Sequence, residues 1–69
     1  MNEEIGSVAG AIWQILRDKG EMTVAALKKS AASKGAKEPV LDWAIGWLAR
    51  EEKLVFRKER NTVKISLRS

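Results

Sequence analysis

The stretch Val40-Leu41-Asp42-Trp43-Ala44-Ile45-Gly46-Trp47-Leu48-Ala49-Arg50 decides the fold and poses the functional question. At about 100° per residue, Leu41, Ala44, Ile45 and Leu48 fall together as the core-facing stripe of an amphipathic helix. Val40, Trp43 and Trp47 project roughly 100° or more away from the centre of that stripe. The helix has two apolar surfaces to bury, and a chain of 69 residues supplies one core. What covers the two tryptophans is open at this point.

Working outward, Pro39 belongs in the first turn of this helix, where its missing N–H costs nothing, and the helix is predicted to run to about Glu52. Leu54–Lys58 and Thr62–Leu67 then alternate as two strands around a Glu59-Arg60-Asn61 turn. Leu54, Phe56, Val63, Ile65 and Leu67 are expected to face the core, with Val55, Arg57, Lys64 and Ser66 outward. On the other side, Thr23 is a good N-cap for a helix from Val24 to about Lys34 that ends at Gly35, its Val24, Leu27 and Ala31 facing inward. Met22 is expected to pair briefly as a strand. A first helix, capped by Asn2 or a neighbour, carries Glu3 and Glu4 in its first turn and Arg17 and Lys19 in its last, both favourable to the helix dipole. Its apolar arc is Ile5, Val8, Ala9, Ile12, Ile15 and Leu16, with Trp13 at the edge and Gly20 just past its end. Three helices, a tight link between the second and third, and a β-hairpin make an α+β winged helix-turn-helix, one domain over residues 1–69.

Composition excludes several classes. There is no Cys and no His, so disulfides and Cys/His zinc sites are absent by inventory. No stretch approaches the roughly 20 apolar residues of a membrane span, and the acidic start Met1-Asn2-Glu3-Glu4 is not a signal peptide. A small soluble cytoplasmic protein that does not engage membranes is expected. Without His or Cys there is no common general base at neutral pH, and the adjacent pairs Glu3-Glu4 and Glu51-Glu52 diverge by about 100° on their helices. Gly20 and Gly35 are isolated helix stops and form no phosphate-binding loop. No catalytic, cofactor-binding or metal-binding residue is assigned, and no cofactor is implied.

The net charge of +4 is unevenly placed. Residues 1–49 balance six basic against six acidic side chains, whereas residues 50–69 carry seven basic against three acidic. Arg57, Lys58, Arg60, Asn61 and Lys64 on the hairpin are therefore the candidate nucleic-acid contacts, reaching phosphates without reading sequence. A solvated hairpin with positive gatekeepers on its edges explains the same charge.

The blocks Ile5-Gly6, Ala9-Gly10 and Ile12-Trp13, together with Ala44-Ile45-Gly46-Trp47-Leu48-Ala49-Arg50-Glu51, resemble an uncharacterised family of short stand-alone winged helix-turn-helix proteins of bacteria and archaea. The similarity spans nearly the whole chain. It implies the fold, a homodimer built through the winged-helix motif, and no assigned activity or ligand residues.

The residues themselves separate two functions. A DNA-reading third helix needs Arg, Lys, Asn, Gln or Ser toward its N-terminal end. This one offers Lys37, Glu38, Pro39, Asp42 and Trp43, with Lys37 and Arg50 alone suited to a groove. Tryptophan is enriched at interface centres, and burying a large aromatic is worth on the order of 2–3 kcal/mol. Gly46 lets a partner backbone approach beside the rings. Val40, Trp43, Gly46, Trp47 and Arg50 are accordingly the expected dimer interface of a non-enzymatic interaction module, with DNA binding through the basic wing as the alternative. A homodimer is the expected partnership. An unidentified protein partner and nucleic acid stay open beside it, nucleic acid being the less favoured. Gly6 and Gly10, with Trp13 one turn on, need a packing reason, because each glycine costs a helix about 1 kcal/mol relative to alanine. That reason is a contact within the subunit or across subunits, and the sequence does not separate the two.

Overall fold

The computed structural model describes residues 2–68. Its elements are α1 (Asn2–Lys19), β1 (Met22–Thr23), α2 (Val24–Ser33), α3 (Val40–Arg50), β2 (Leu54–Glu59) and β3 (Thr62–Leu67). The three strands form an antiparallel sheet in the order β1-β3-β2. This is the three-helix-plus-hairpin α+β arrangement expected from the sequence. Asn2, expected as the cap, is instead the first residue of α1, and the position before it lies outside the described residues.

Local chemistry explains the breaks between elements. Thr23 Oγ1 accepts the Ala26 N–H at 3.0 Å, satisfying one of the unpaired donors at the start of α2. At the other end, the N–H groups of Gly35 and Ala36 return to the carbonyls of Ala32 and Ala31 at 3.0 and 3.1 Å. This double closure needs a left-handed residue, and Gly35 supplies it at φ +97°. The same closure stops α3, where Glu52 donates to Ala49 at 3.1 Å and Lys53 to Leu48 at 3.0 Å. Here the left-handed position is held by Glu52 at φ +58°. The third helix consequently ends at Arg50, two residues short of the expectation. Pro39 sits one position before the helix, as its N-cap residue.

The core is a single cluster drawn from every helix and from the sheet. Ile12 of α1, Leu27 of α2 and Ile65 of β3 are fully buried at its centre. Ala9, Ile15, Leu16, Ala31, Leu41, Ala44, Ile45, Leu48 and Leu54 complete it as the helical and strand periodicities require. Ala36, in the α2–α3 link, is also buried, held inward by the α2 closure. No polar or charged residue is buried among those described.

Two core expectations fail in the hairpin. Phe56 and Val63 share a face with Leu54 and Ile65, yet remain 45% and 38% exposed. The cause is topological. β3 lies in the middle of the sheet and packs onto α1 and α2, while β2 is an edge strand that touches α3 and is buried at Leu54 alone. The Lys58↔Val63 pair lies toward the turn, where both strands are exposed. Leu67 is half-buried. Glu59 belongs to β2, leaving a two-residue turn, Arg60-Asn61, with Arg60 at φ +53°.

Candidate protein interface

The apolar stripe of α3 is spent on the core, and what remains faces outward. Trp43 and Trp47 are 44% and 48% exposed, one helical turn apart. Gly46 and Arg50 are exposed between and beyond them, and Val40 is half-buried at the start of the same helix. A Cβ built on Gly46 would meet nothing within 4 Å. The five residues expected at an interface thus lie on one helix, four of them openly exposed.

A groove extends this surface onto α1. Gly6, Ala9, Gly10 and Trp13 of α1 line it with Trp47 and Leu48 of α3 and with Lys53, enclosing about 300 Å³. A Cβ on Gly6 or Gly10 would also meet nothing within 4 Å. Neither glycine is therefore required by close packing against α3 of the same subunit. Trp13 is 41% exposed, with the Arg17 guanidinium 5.0 Å from its ring centroid.

The flank of α3 is electrostatically closed. Lys28 of α2 meets Glu38 Oε1 at 2.9 Å and Asp42 Oδ1 at 2.6 Å. Its hydrogen bonds to Asp42 and then to Glu38, which accept them, hold the Lys28 ammonium above its ordinary pKa. The two carboxylates at the start of α3 are thus engaged by Lys28. Nothing in the sequence spacing announces this cluster, because the α2–α3 link brings residues ten or more apart together.

On the wing the basic residues divide. Arg57 donates to both Glu21 oxygens, Nε to Oε2 at 3.1 Å and Nη2 to Oε1 at 2.7 Å, and also to Glu59. Lys64 Nζ lies 3.0 Å from Glu59 Oε1. The Arg57 bond holds the Glu21 carboxyl below the usual range, and bonds from Lys64 and then Arg57 do the same to Glu59. The arginine is pushed further up by Glu21 and then Glu59. These four groups, Glu21, Arg57, Glu59 and Lys64, cancel in charge on the outer face of the sheet. Lys58 points to the opposite face, opposite Val63, and Arg60 and Asn61 occupy the turn. Lys58 and Arg60 make no ion pair among the described residues. The structure therefore does not gather the five candidate nucleic-acid contacts into one positive patch.

Phe56 and Val63 are exposed apolar residues that strand alternation assigns to the core. For Phe56 the available signal is strand order, since a two-residue β1 pairing with β3 leaves β2 at the edge; for Val63, on the central strand, it is nearness to the turn. Among the described residues no helix is long and apolar enough to cross a membrane, and no cluster of acidic residues could hold a metal ion.

Residues 1–67 match the family model described as Winged helix-turn-helix domain (DUF2582). The chain is also similar to the uncharacterized protein MJ1608 of Methanocaldococcus jannaschii, at 36% identity over 56 residues, covering 81% of this chain and 79% of that one. Helix order, hairpin wing and sequence agree, and the chain belongs to the winged helix-turn-helix family DUF2582.

Proposed function

We propose that this chain is a non-enzymatic assembly module that forms a two-fold homodimer across α3, through Val40, Trp43, Gly46, Trp47 and Arg50. The observation that carries it is the pair of tryptophans left nearly half exposed around an open glycine, on the helix where a DNA reader displays polar groups. Each ring leaves about 100 Å² outside, given the roughly 150–250 Å² that an aromatic side chain can bury. Covering that area contributes about 2.5 kcal/mol per ring at about 25 cal/mol per Å². Four rings in a dimer give about 10 kcal/mol, within the span that association costs.

Trp47→Ala removes two of the four rings, or about 5 kcal/mol, so its dimer dissociation constant rises more than a thousandfold. Sedimentation across micromolar concentrations checks this. A variant that associates as tightly as the parent refutes the assignment.

DNA binding is the second reading, favoured by the fold and by Lys58, Arg60 and Asn61 near the wing tip. With Arg57 and Lys64 held by carboxylates, it reduces to a few phosphate contacts that weaken steeply with salt. Selection of a defined DNA site bound at nanomolar concentration and physiological salt would reverse the order of the two readings.

A further inference from the structure

The wing has an open edge. β2 is bonded to β3 on one side only, and its six residues span about 20 Å at roughly 3.4 Å each, the length of a typical strand. Which of its backbone groups are free follows from the register. Arg68 donates to the carbonyl of Lys53 at 2.9 Å, so these two form a bonded pair one step beyond Leu54↔Leu67. Bonded and non-bonded pairs alternate in an antiparallel ladder, so Val55, Arg57 and Glu59 spend their N–H and C=O groups on β3. Leu54, Phe56 and Lys58 turn theirs to the open side. Among the described residues, no backbone bond from another element reaches them.

The side chains of this strand are equally uncovered. Only Leu54 is buried, while Val55 and Phe56, on opposite faces of the sheet, are 44% and 45% exposed. A neighbouring strand covers both faces at once, through the pairs its side chains make across the edge. The charges specify which strand. Lys53 and Arg60 flank β2, Lys58 lies within it, and none of the three makes an ion pair among the described residues. The one carboxylate on β2 and β3, Glu59, is already held by Arg57 and Lys64.

We propose that the β2 edge docks an extended acidic segment of another protein as a fourth strand of the sheet. Its main chain meets the outward N–H and C=O groups of Leu54, Phe56 and Lys58. Apolar side chains on its two faces cover Val55 and Phe56, and its carboxylates meet Lys53, Lys58 and Arg60. A second copy fits this edge poorly, because pairing β2 with itself gathers two sets of these cations. A nucleic-acid backbone fits poorly as well. Phosphate oxygens only accept hydrogen bonds, and half of the groups on the edge are carbonyls. The edge shares no residue with the α3 dimer proposed above, so a monomeric parent leaves this proposal standing.

The test is amide hydrogen exchange of the full chain, read by NMR with a blocked peptide of about eight residues, the length of the edge. The peptide carries glutamates at both ends and alternating valine and threonine between them. At nine-tenths saturation the N–H groups of Leu54, Phe56 and Lys58 exchange about tenfold more slowly, while those of Val55, Arg57 and Glu59 keep their rates. A lysine-ended counterpart binds at least about tenfold more weakly, and Lys58→Glu weakens the acidic peptide by a similar factor. N-methylation of the peptide amides that face β2 abolishes the protection, with no change to the protein. Unchanged exchange at the three amides, equal binding of the lysine-ended peptide, or protection by the N-methylated one overturns the proposal. Protection that rises with protein concentration in the absence of peptide assigns the edge to a second copy and overturns it too. So does a short thymidine oligonucleotide that displaces the acidic peptide and binds the wing more tightly.

Discussion

Glu52 holds a conformation that its side chain resists. At φ +58° it occupies the left-handed position that closes α3, donating its N–H to Ala49 while Lys53 donates to Leu48. For an L-residue this region costs roughly 1–2 kcal/mol, and glycine occupies it freely. Glycine also enlarges the freedom of the unfolded chain, which takes back roughly 0.4–1 kcal/mol. The side chain loses little by its removal, since its contact with Arg68 is long, 3.4 Å, and open to solvent. Glu52→Gly is therefore stabilising by about 0.5–1 kcal/mol. For a domain of this size that raises Tm by roughly 2–8 °C. The assay is thermal unfolding followed by circular dichroism at one fixed protein concentration, because association makes Tm depend on concentration. Glu52→Ala is the control: it removes the ion pair and keeps the backbone conflict, so it gives no gain. A fall in Tm for Glu52→Gly, or a change equal to that of Glu52→Ala, refutes the assignment of strain to this residue.

Two further outcomes follow from the fold and its charges. Thr23→Ala removes the acceptor of the Ala26 N–H and destabilises the domain by about 1 kcal/mol, seen as a lower urea midpoint with an unchanged slope. Glu21 and Glu59 titrate below the ordinary carboxylate value of 4.5 in the folded protein. Their contribution is complete above that pH and is lost as pH falls through the lowered folded values. Tm measured from pH 6 to pH 2 should accordingly drop more steeply in the parent than in Arg57→Gln. Parallel curves would show that the outer-face network does not couple to folding.

Helix positions were legible because each helix is announced by a period and punctuated by a residue with one physical job. Thr23 caps, Gly20 and Gly35 stop, and the stripe Leu41-Ala44-Ile45-Leu48 faces inward as its spacing requires. The end of α3 was less legible, because a glutamate occupies the position where glycine usually marks the stop. The hairpin alternation gave the strands their correct faces but not their cover. Phe56 and Val63 share the face of Leu54 and Ile65 yet stay exposed, and alternation carries no information about which stretch of that face the helices cover. The wing charges show the same limit. Arg57 and Lys64 read as free cations in sequence, while Glu21 reaches Arg57 across 36 positions only once the sheet has formed. The surplus apolar surface of α3 was visible from the start, and its continuity with the α1 groove required the packed helices.

A second copy covering the exposed tryptophan face makes this family member a dimer in solution. Sedimentation equilibrium of the unmodified protein at micromolar concentration tests it most directly. The expected species has twice the 7.7 kDa chain mass and dissociates on dilution. A single species of one chain mass, persisting as concentration is raised toward the millimolar range, would contradict it.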